Sequence, residues 1–264
     1  MANSMNFNST DLSGSSYALT VLQQHIGAYS TVNVDVAAIP FAPGVAQYSG
    51  MNPKVFTVEC LIDGTSTSHL TTCLDNLSVL FHATEDKPLS FDDWYSDRFW
   101  LARYTGGLEA VSLLGKHKAN VTLSFVAPDP VAYSNTYIDS LDYTITTSPQ
   151  SFIVKGTGSA VEGNTYSYPM WILAPDDTSY DFTIKNETTG ESLTWANILS
   201  SPWWLIIQSQ YYLVASSPDG GETLYPSMQT VSGTFPRLMG GVENTITMTN
   251  FSGHVIPNYY GRYL

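Results

Sequence analysis

The sequence predicts a mainly β protein with one helix, divided into two domains at residues 1–136 and 137–264. Three observations carry this. Two apolar, alternating runs, Leu108–Leu114 and Val121–Val126, flank the polar turn Gly115-Lys116-His117-Lys118, as in a β-hairpin. The second run stops at Pro128-Asp129-Pro130, where two prolines fix φ and remove backbone donors. Only one stretch, around Leu70, Leu74, Leu77 and Phe81, repeats its apolar residues at helical spacing.

In chain order, Phe7–Thr20 holds two short strand-like pieces around Asp11-Leu12-Ser13-Gly14. Val32–Ile39 alternates and breaks at Pro40 and Pro43, and the Gly- and Pro-containing Phe41–Asn52 reads as a loop. Val55–Ile62 is a strand closed by Asp63-Gly64. Ser66 or Thr65 can cap the helix, whose stripe, with Cys73 and Leu80 beside it, faces a sheet and puts Leu74 and Leu77 in the core. Pro88–Phe91 and Arg98–Tyr104 are strands, and the hairpin closes the first domain near Asn135.

From Tyr137 onward the pattern is almost wholly β. Expected strands are Tyr143–Thr147, Phe152–Lys155, Tyr168–Leu173, Tyr180–Lys185, Ser192–Trp195, Leu205–Gln208, Tyr211–Val214 and Thr245–Thr249. Turns such as Pro218-Asp219-Gly220-Gly221 separate them, and short strands so spaced predict a β-sandwich. The aromatic end, Tyr259-Tyr260-Gly261-Arg262-Tyr263-Leu264, is expected to dock rather than hang free.

Composition narrows the function. The 264 residues include 23 acidic and 10 basic ones, giving a net charge of −13 spread over both halves. A groove that neutralises phosphates is therefore not expected. Cys60 and Cys73 are the only cysteines, too few for a disulfide framework or a zinc site, and are expected to be reduced and partly buried. The N-terminus has no basic and apolar leader pattern, and no apolar run can span a bilayer, so synthesis in a cytoplasm is expected.

No catalytic constellation emerges. Asp92-Asp93 with Asp97 or Glu109 have the residue types of a glycosidase pair but read as a solvated turn before Trp94-Tyr95. His25, His69, His82, His117 and His254 form no metal motif. Asp176-Asp177 and Asp219 sit where turns favour Asp, so neither metal nor cofactor is expected. The residues singled out for glycan or partner contact are Trp195, Trp203, Trp204, Tyr211 and Tyr212. Exposed aromatics on a sandwich can stack sugar rings, and a strand through Trp203-Trp204 would put the two rings on opposite faces.

Several segments in order resemble the distal tail protein of long-tailed, non-contractile bacteriophages. They are Phe7-Asn8-Ser9-Thr10-Asp11-Leu12-Ser13, the strand ending Ile62-Asp63-Gly64, the helix, Leu89-Ser90-Phe91, and Arg98…Ala102-Arg103-Tyr104 with Gly106-Gly107. Val121–Phe125 then runs into Asp129-Pro130 and Tyr133. In the second half, the turn Asn186-Glu187-Thr188-Thr189-Gly190 and Gly240-Gly241-Val242-Glu243-Asn244-Thr245-Ile246 match that family's pattern. The resemblance covers most of the chain and rests on the joint order.

It implies an N-terminal sandwich or barrel-like domain that forms a homohexameric ring, and a lectin-like C-terminal sandwich of galectin or carbohydrate-binding-module type. The ring would sit in the virion tail tip as a structural, non-enzymatic hub. It would join the tail tube protein to tip hub, baseplate and fibre or receptor-binding proteins, and genomic DNA would pass its lumen on ejection. The competing readings are a carbohydrate-binding module working through the C-terminal sandwich and a β-rich glycan-cleaving enzyme.

Overall fold

Apolar alternation organises the first half around two sheets and one helix. The computed structural model describes residues 4–26, 32–37, 45–92, 95–106, 112–113, 116–156, 158, 160–226 and 231–264. Their contacts divide the chain into two compact units, Met1–Tyr133 with Leu264, and Ser134–Tyr263.

The first unit contains β1 (Met5–Phe7), β2 (Thr10–Asp11), β3 (Leu19–Ile26), β4 (Val32–Ala37), β5 (Val45–Met51) and β6 (Lys54–Asp63). Helix α1 (Thr67–Phe81) follows, then β7 (Lys87–Phe91), β8 (Arg98–Gly106), β9 (Ser112–Leu113) and β10 (Lys118–Ala127). One sheet joins β3, β6 and β10, with β6 and β10 paired antiparallel over their full length. The other runs β2-β1-β7-β8. Strand β8 also meets β10, with a register break at Ser124/Phe125, and so links the sheets. Among the described residues, no sheet closes into a barrel.

Ser66 caps α1, its hydroxyl accepting from the His69 N–H at 3.1 Å. The helix buries Leu70, Cys73, Leu77 and Phe81. Each fully buried side chain of Leu77's size contributes about 1.5–3 kcal/mol of transfer free energy. Leu74 is only half-buried, contrary to its expected place in the core, because the buried stripe runs through Cys73 and leaves Leu74 on its flank. Phe81 fills the space between the sheets, edge-on to Phe7 and Phe125 at 5.5 Å each and stacked on Tyr104 at 4.6 Å.

Part of the segment expected to be a loop, Phe41–Asn52, is a strand: β5 pairs antiparallel with β4. Paired backbone, rather than side-chain pattern, makes it one. Strand β3 extends well past the expected end at Thr20. The expected hairpin forms where it is described, β9 pairing antiparallel with β10 through Leu113 and Ala119; residues 108–111, 114 and 115 of it lie outside the described residues, as do Asp93 and Trp94.

The second unit is a sandwich. Its strands are β11 (Ala132–Ile138), β12 (Tyr143–Ile145), β13 (Gln150–Val154), β14 (Tyr166–Ser167), β15 (Met170–Pro175), β16 (Ser179–Asn186) and β17 (Ser192–Leu199). After these come β18 (Trp204–Gln208), β19 (Leu213–Ser217), β20 (Tyr225–Pro226), β21 (Val231–Gly233), β22 (Leu238–Met239), β23 (Asn244–Thr249) and β24 (Gly253–Tyr263). One sheet is ordered β24-β15-β18-β19-β20, with β12 also on β24; the other is β13-β23-β16-β17-β21. Alternate residues of both sheets, among them Trp171, Leu173, Phe182, Ile184, Leu205, Ile207, Ile246 and Met248, fill the core. The expected docked C-terminal segment is β24, eleven residues long. The expected strand Tyr211–Val214 begins only at Leu213, because Tyr211 and Tyr212 form the preceding turn. No helix of the described residues is long and apolar enough to cross a membrane.

Candidate functional site

The last strand of the first unit ends as its sequence dictates. After Phe125 enters the core and β10 stops, Asp129 folds the chain back on itself. Its carboxylate accepts the Val131 N–H at 3.2 Å and the Tyr133 hydroxyl at 2.7 Å. Tyr133 is buried and stacks on Phe99 at 5.6 Å. The Asp-Pro…Tyr signature is therefore a device that fixes how the unit's final strand terminates.

The acidic candidates do not converge on a reaction centre. Asp92 lies exposed in a bend after β7, as expected, and also holds the N-terminal strand, accepting from the Ser4 hydroxyl and from Asn6 Nδ2 at 2.9 Å. Asp97 pairs with Arg98 at 3.2 Å. Asp219 closes its own turn: the Thr223 hydroxyl and N–H, with the Ser217 hydroxyl, hold its carboxyl down to about 2. Asp176 stands 3.7 Å from His254, whose other nitrogen lies 2.9 Å from Asp142. His69 lies against Thr65 and the Ser15 carbonyl. No cluster of three metal-ligating side chains occurs among the described residues. Both cysteines are free and buried.

The five aromatics singled out by sequence separate. Trp195 is 5% exposed and stacks on Phe182 inside the sandwich. Trp203 precedes β18, is 39% exposed and lies 5.7 Å from Tyr225. Trp204 is half-buried in β18, with Gly220 against its ring at a position where any Cβ would crowd it. Tyr211 and Tyr212 are 71% and 63% exposed at the turn between β18 and β19.

Beside that turn lies a cleft of about 370 Å³. Tyr168, Tyr212 and Phe235 line it together with Glu191 and Arg237, and a smaller hollow of about 110 Å³ continues past Tyr168 to Tyr211. Tyr212 and Phe235 meet edge-to-face at 5.4 Å. Arg237 donates from Nε to Glu191 at 2.7 Å, and its backbone N–H reaches the same carboxylate at 2.8 Å. Its guanidinium stacks over Tyr166 at 4.2 Å. Burial disfavours the Arg237 cation, but Glu191 and Tyr168 more than offset it and raise its pKa. Gly233 makes the wall possible: its φ of +104° and close approach to the Ser192 carbonyl exclude a side chain. Sequence reasoning found Tyr211 and Tyr212 but missed Tyr168, Glu191, Phe235 and Arg237. Glu191 and Arg237 lie 46 residues apart and meet only when β17 and the chain after β21 fold together.

No protein-family model matches the chain. No curated protein matches it either. Solved structures do. The SPP1 Dit protein, of the hub adsorption apparatus in phages infecting Gram-positive bacteria, superimposes with a TM-score of 0.71 at 17% identity, covering 100% of both chains. A chain of the phage P2 baseplate in its calcium-activated conformation matches with a TM-score of 0.55 at 10% identity, covering 98% of each. The strontium form of that baseplate gives 0.53 at 10% identity over the same shares. The chain has the fold of these phage proteins, mostly β with one helix.

Proposed function

We propose that the chain is the structural hub of a siphophage tail tip, and that six copies form a ring through the first unit. The observation that carries this reading is the end-to-end likeness to the SPP1 hub protein, which takes in both units and leaves neither chain uncovered. Fold alone does not fix a role, but two further features favour assembly over chemistry. Strand β3 has β6 on one side, and among the described residues no strand pairs with its other edge. An edge of that kind is a template for a neighbouring subunit. Several carboxylates, among them Asp92, Asp129 and Asp219, meanwhile hold turns and strands.

In this role the ring meets the tail tube protein on one side and tip hub, baseplate and fibre or receptor-binding proteins on the other. The genome passes through its lumen, and the protein carries out no reaction. Native mass spectrometry of the purified chain, with electron micrographs of tails, tests the proposal. Six-fold particles are expected. A chain that stays monomeric, both alone and within an assembled tail, would sink it.

A further inference from the structure

We infer that the cleft between Tyr168, Tyr212 and Phe235 is a binding site for a neutral pyranoside, with Arg237 directing the sugar's hydroxyl groups. The inference does not depend on the ring, since every residue of the cleft belongs to the second unit.

The site has the two kinds of surface that a sugar ring needs. A pyranose presents an apolar face of C–H bonds and a rim of hydroxyls. Tyr212 offers the matching aromatic face: it is mostly solvent-exposed, yet it is held in place by its edge-to-face contact with Phe235. The electron-rich face of such a ring attracts polarised C–H bonds. Tyr212 also has φ +51°, a conformation that bulky residues rarely adopt, and strain of this kind is kept where a side chain must be aimed. In the same cleft, Arg237 is locked by Glu191 and stacked on Tyr166, so its planar fork is pre-organised. Glu191 and Tyr168 do not use all five of its N–H donors.

Charge selects the class of sugar. Arg237 is already paired with Glu191, so the cleft offers no net positive charge to an anion. The whole chain carries −13, which repels polyanionic glycans. A volume of about 370 Å³ falls within the roughly 300–1,000 Å³ usual for small-ligand pockets. The adjoining hollow beside Tyr211 gives a second sugar room to extend.

The test is saturation-transfer NMR on the full chain. The probes are methyl α-glucoside, methyl β-galactoside and methyl N-acetyl-β-glucosaminide at millimolar concentration, with poly(glycerol phosphate) as the anionic comparison. Transfer to at least one neutral glycoside is expected, strongest on the protons of its apolar face. Tyr212→Phe should keep that transfer. Tyr212→Gly accepts the positive φ, so it should still fold, yet weaken binding about tenfold. Tyr180→Ala, which removes an exposed tyrosine that does not line this cleft, should change nothing. No transfer to any neutral glycoside, transfer that survives Tyr212→Gly, or preference for poly(glycerol phosphate) would each overturn the inference. Native mass measured on the same samples reports the ring separately, so failure of one reading is not mistaken for failure of the other.

Discussion

Asn186 donates through Nδ2 to the Oδ1 of Asn244 at 3.0 Å, across 58 residues of chain, with both side chains fully buried. The two residues belong to the two C-terminal segments whose sequence resembles tail proteins, and the bond gives both motifs one physical purpose. Asn186 Oδ1 caps its turn by accepting the Thr188 N–H at 2.9 Å. Asn244 accepts from the Met239 N–H at 2.8 Å and donates to the Met239 carbonyl at 2.9 Å. The pair clamps the chain between β22 and β23 onto the end of β16, next to the Glu191–Arg237 contact.

Asn244→Ala therefore strands several buried groups at once. Each unsatisfied group costs about 1–3 kcal/mol, so a loss of roughly 3 kcal/mol is expected in denaturant unfolding followed by tryptophan fluorescence. A variant as stable as the parent would show that the clamp contributes nothing.

The helix makes a sharper distinction. Leu77 is fully buried and Leu74 is on the flank of the stripe. Leu77→Ala is expected to cost about 2–5 kcal/mol, and Leu77→Asp to abolish folding of the first unit by burying an unpaired carboxylate. Leu74→Asp should remain soluble, because its carboxylate can reach water. Equal damage from the two aspartates, measured by circular dichroism, would refute this order.

How far the sequence carried can be read from such elements. The helix was legible because its apolar period is unbroken from Leu70 to Phe81. Strand β3 was not: a bulge between Val21 and Gln23 shifts the alternation, so that Leu22 points outward and is exposed. Strand β5 was hidden because its pairing with β4 is a property of backbone, not of side-chain pattern. Tyr211 and Tyr212 misled in the opposite direction. Aromatic residues favour strands, but Tyr212 takes a positive φ and makes a turn. The cleft was only partly legible for a related reason: Tyr211 and Tyr212 are neighbours in sequence, whereas Tyr168, Phe235 and the Glu191–Arg237 contact come together only in the folded sandwich.

Buried protons set the alkaline limit. Burial pushes the Cys60 thiol up to about 12, with the Glu59 carboxylate adding to it, from 9.0 in a free thiol. Burial likewise raises the Tyr259 hydroxyl above its ordinary 10.0. In both cases the native state keeps a proton that the unfolded chain releases. Their stabilisation is therefore fully present below pH 9.0 and is lost as pH rises toward 12. The melting temperature should hold steady up to pH 9.0 and fall above it, and Cys60→Ala should make that fall shallower. Iodoacetamide should leave Cys60 unmodified in the native protein. Rapid native labelling of Cys60 would contradict its burial.

The final prediction concerns DNA. The first 133 residues hold twelve acidic and six basic residues, and four of those six cations are tied to a nearby carboxylate. Lys87 pairs with Glu85 at 2.9 Å, Arg98 with Asp97 at 3.2 Å, Arg103 with Asp86 at 3.2 Å and Lys118 with Asp63 at 2.6 Å. Lys54 lies over the Trp100 ring at 5.0 Å, and burial lowers its pKa. Such exposed pairs add little stability, but each one cancels a charge that would otherwise condense on phosphates. A lumen built from this unit should let a duplex slide instead of holding it. Gel-shift assays of the assembled protein at about 50 mM salt are expected to show no retained duplex, because affinity of this kind scales with the number of phosphates neutralised. Substituting the four paired carboxylates, Asp63, Glu85, Asp86 and Asp97, by their amides should release the cations and create binding that weakens steeply as salt rises. Retention by the unaltered protein would show that unpaired cations line its path, and that the acidic excess serves only the outer surface.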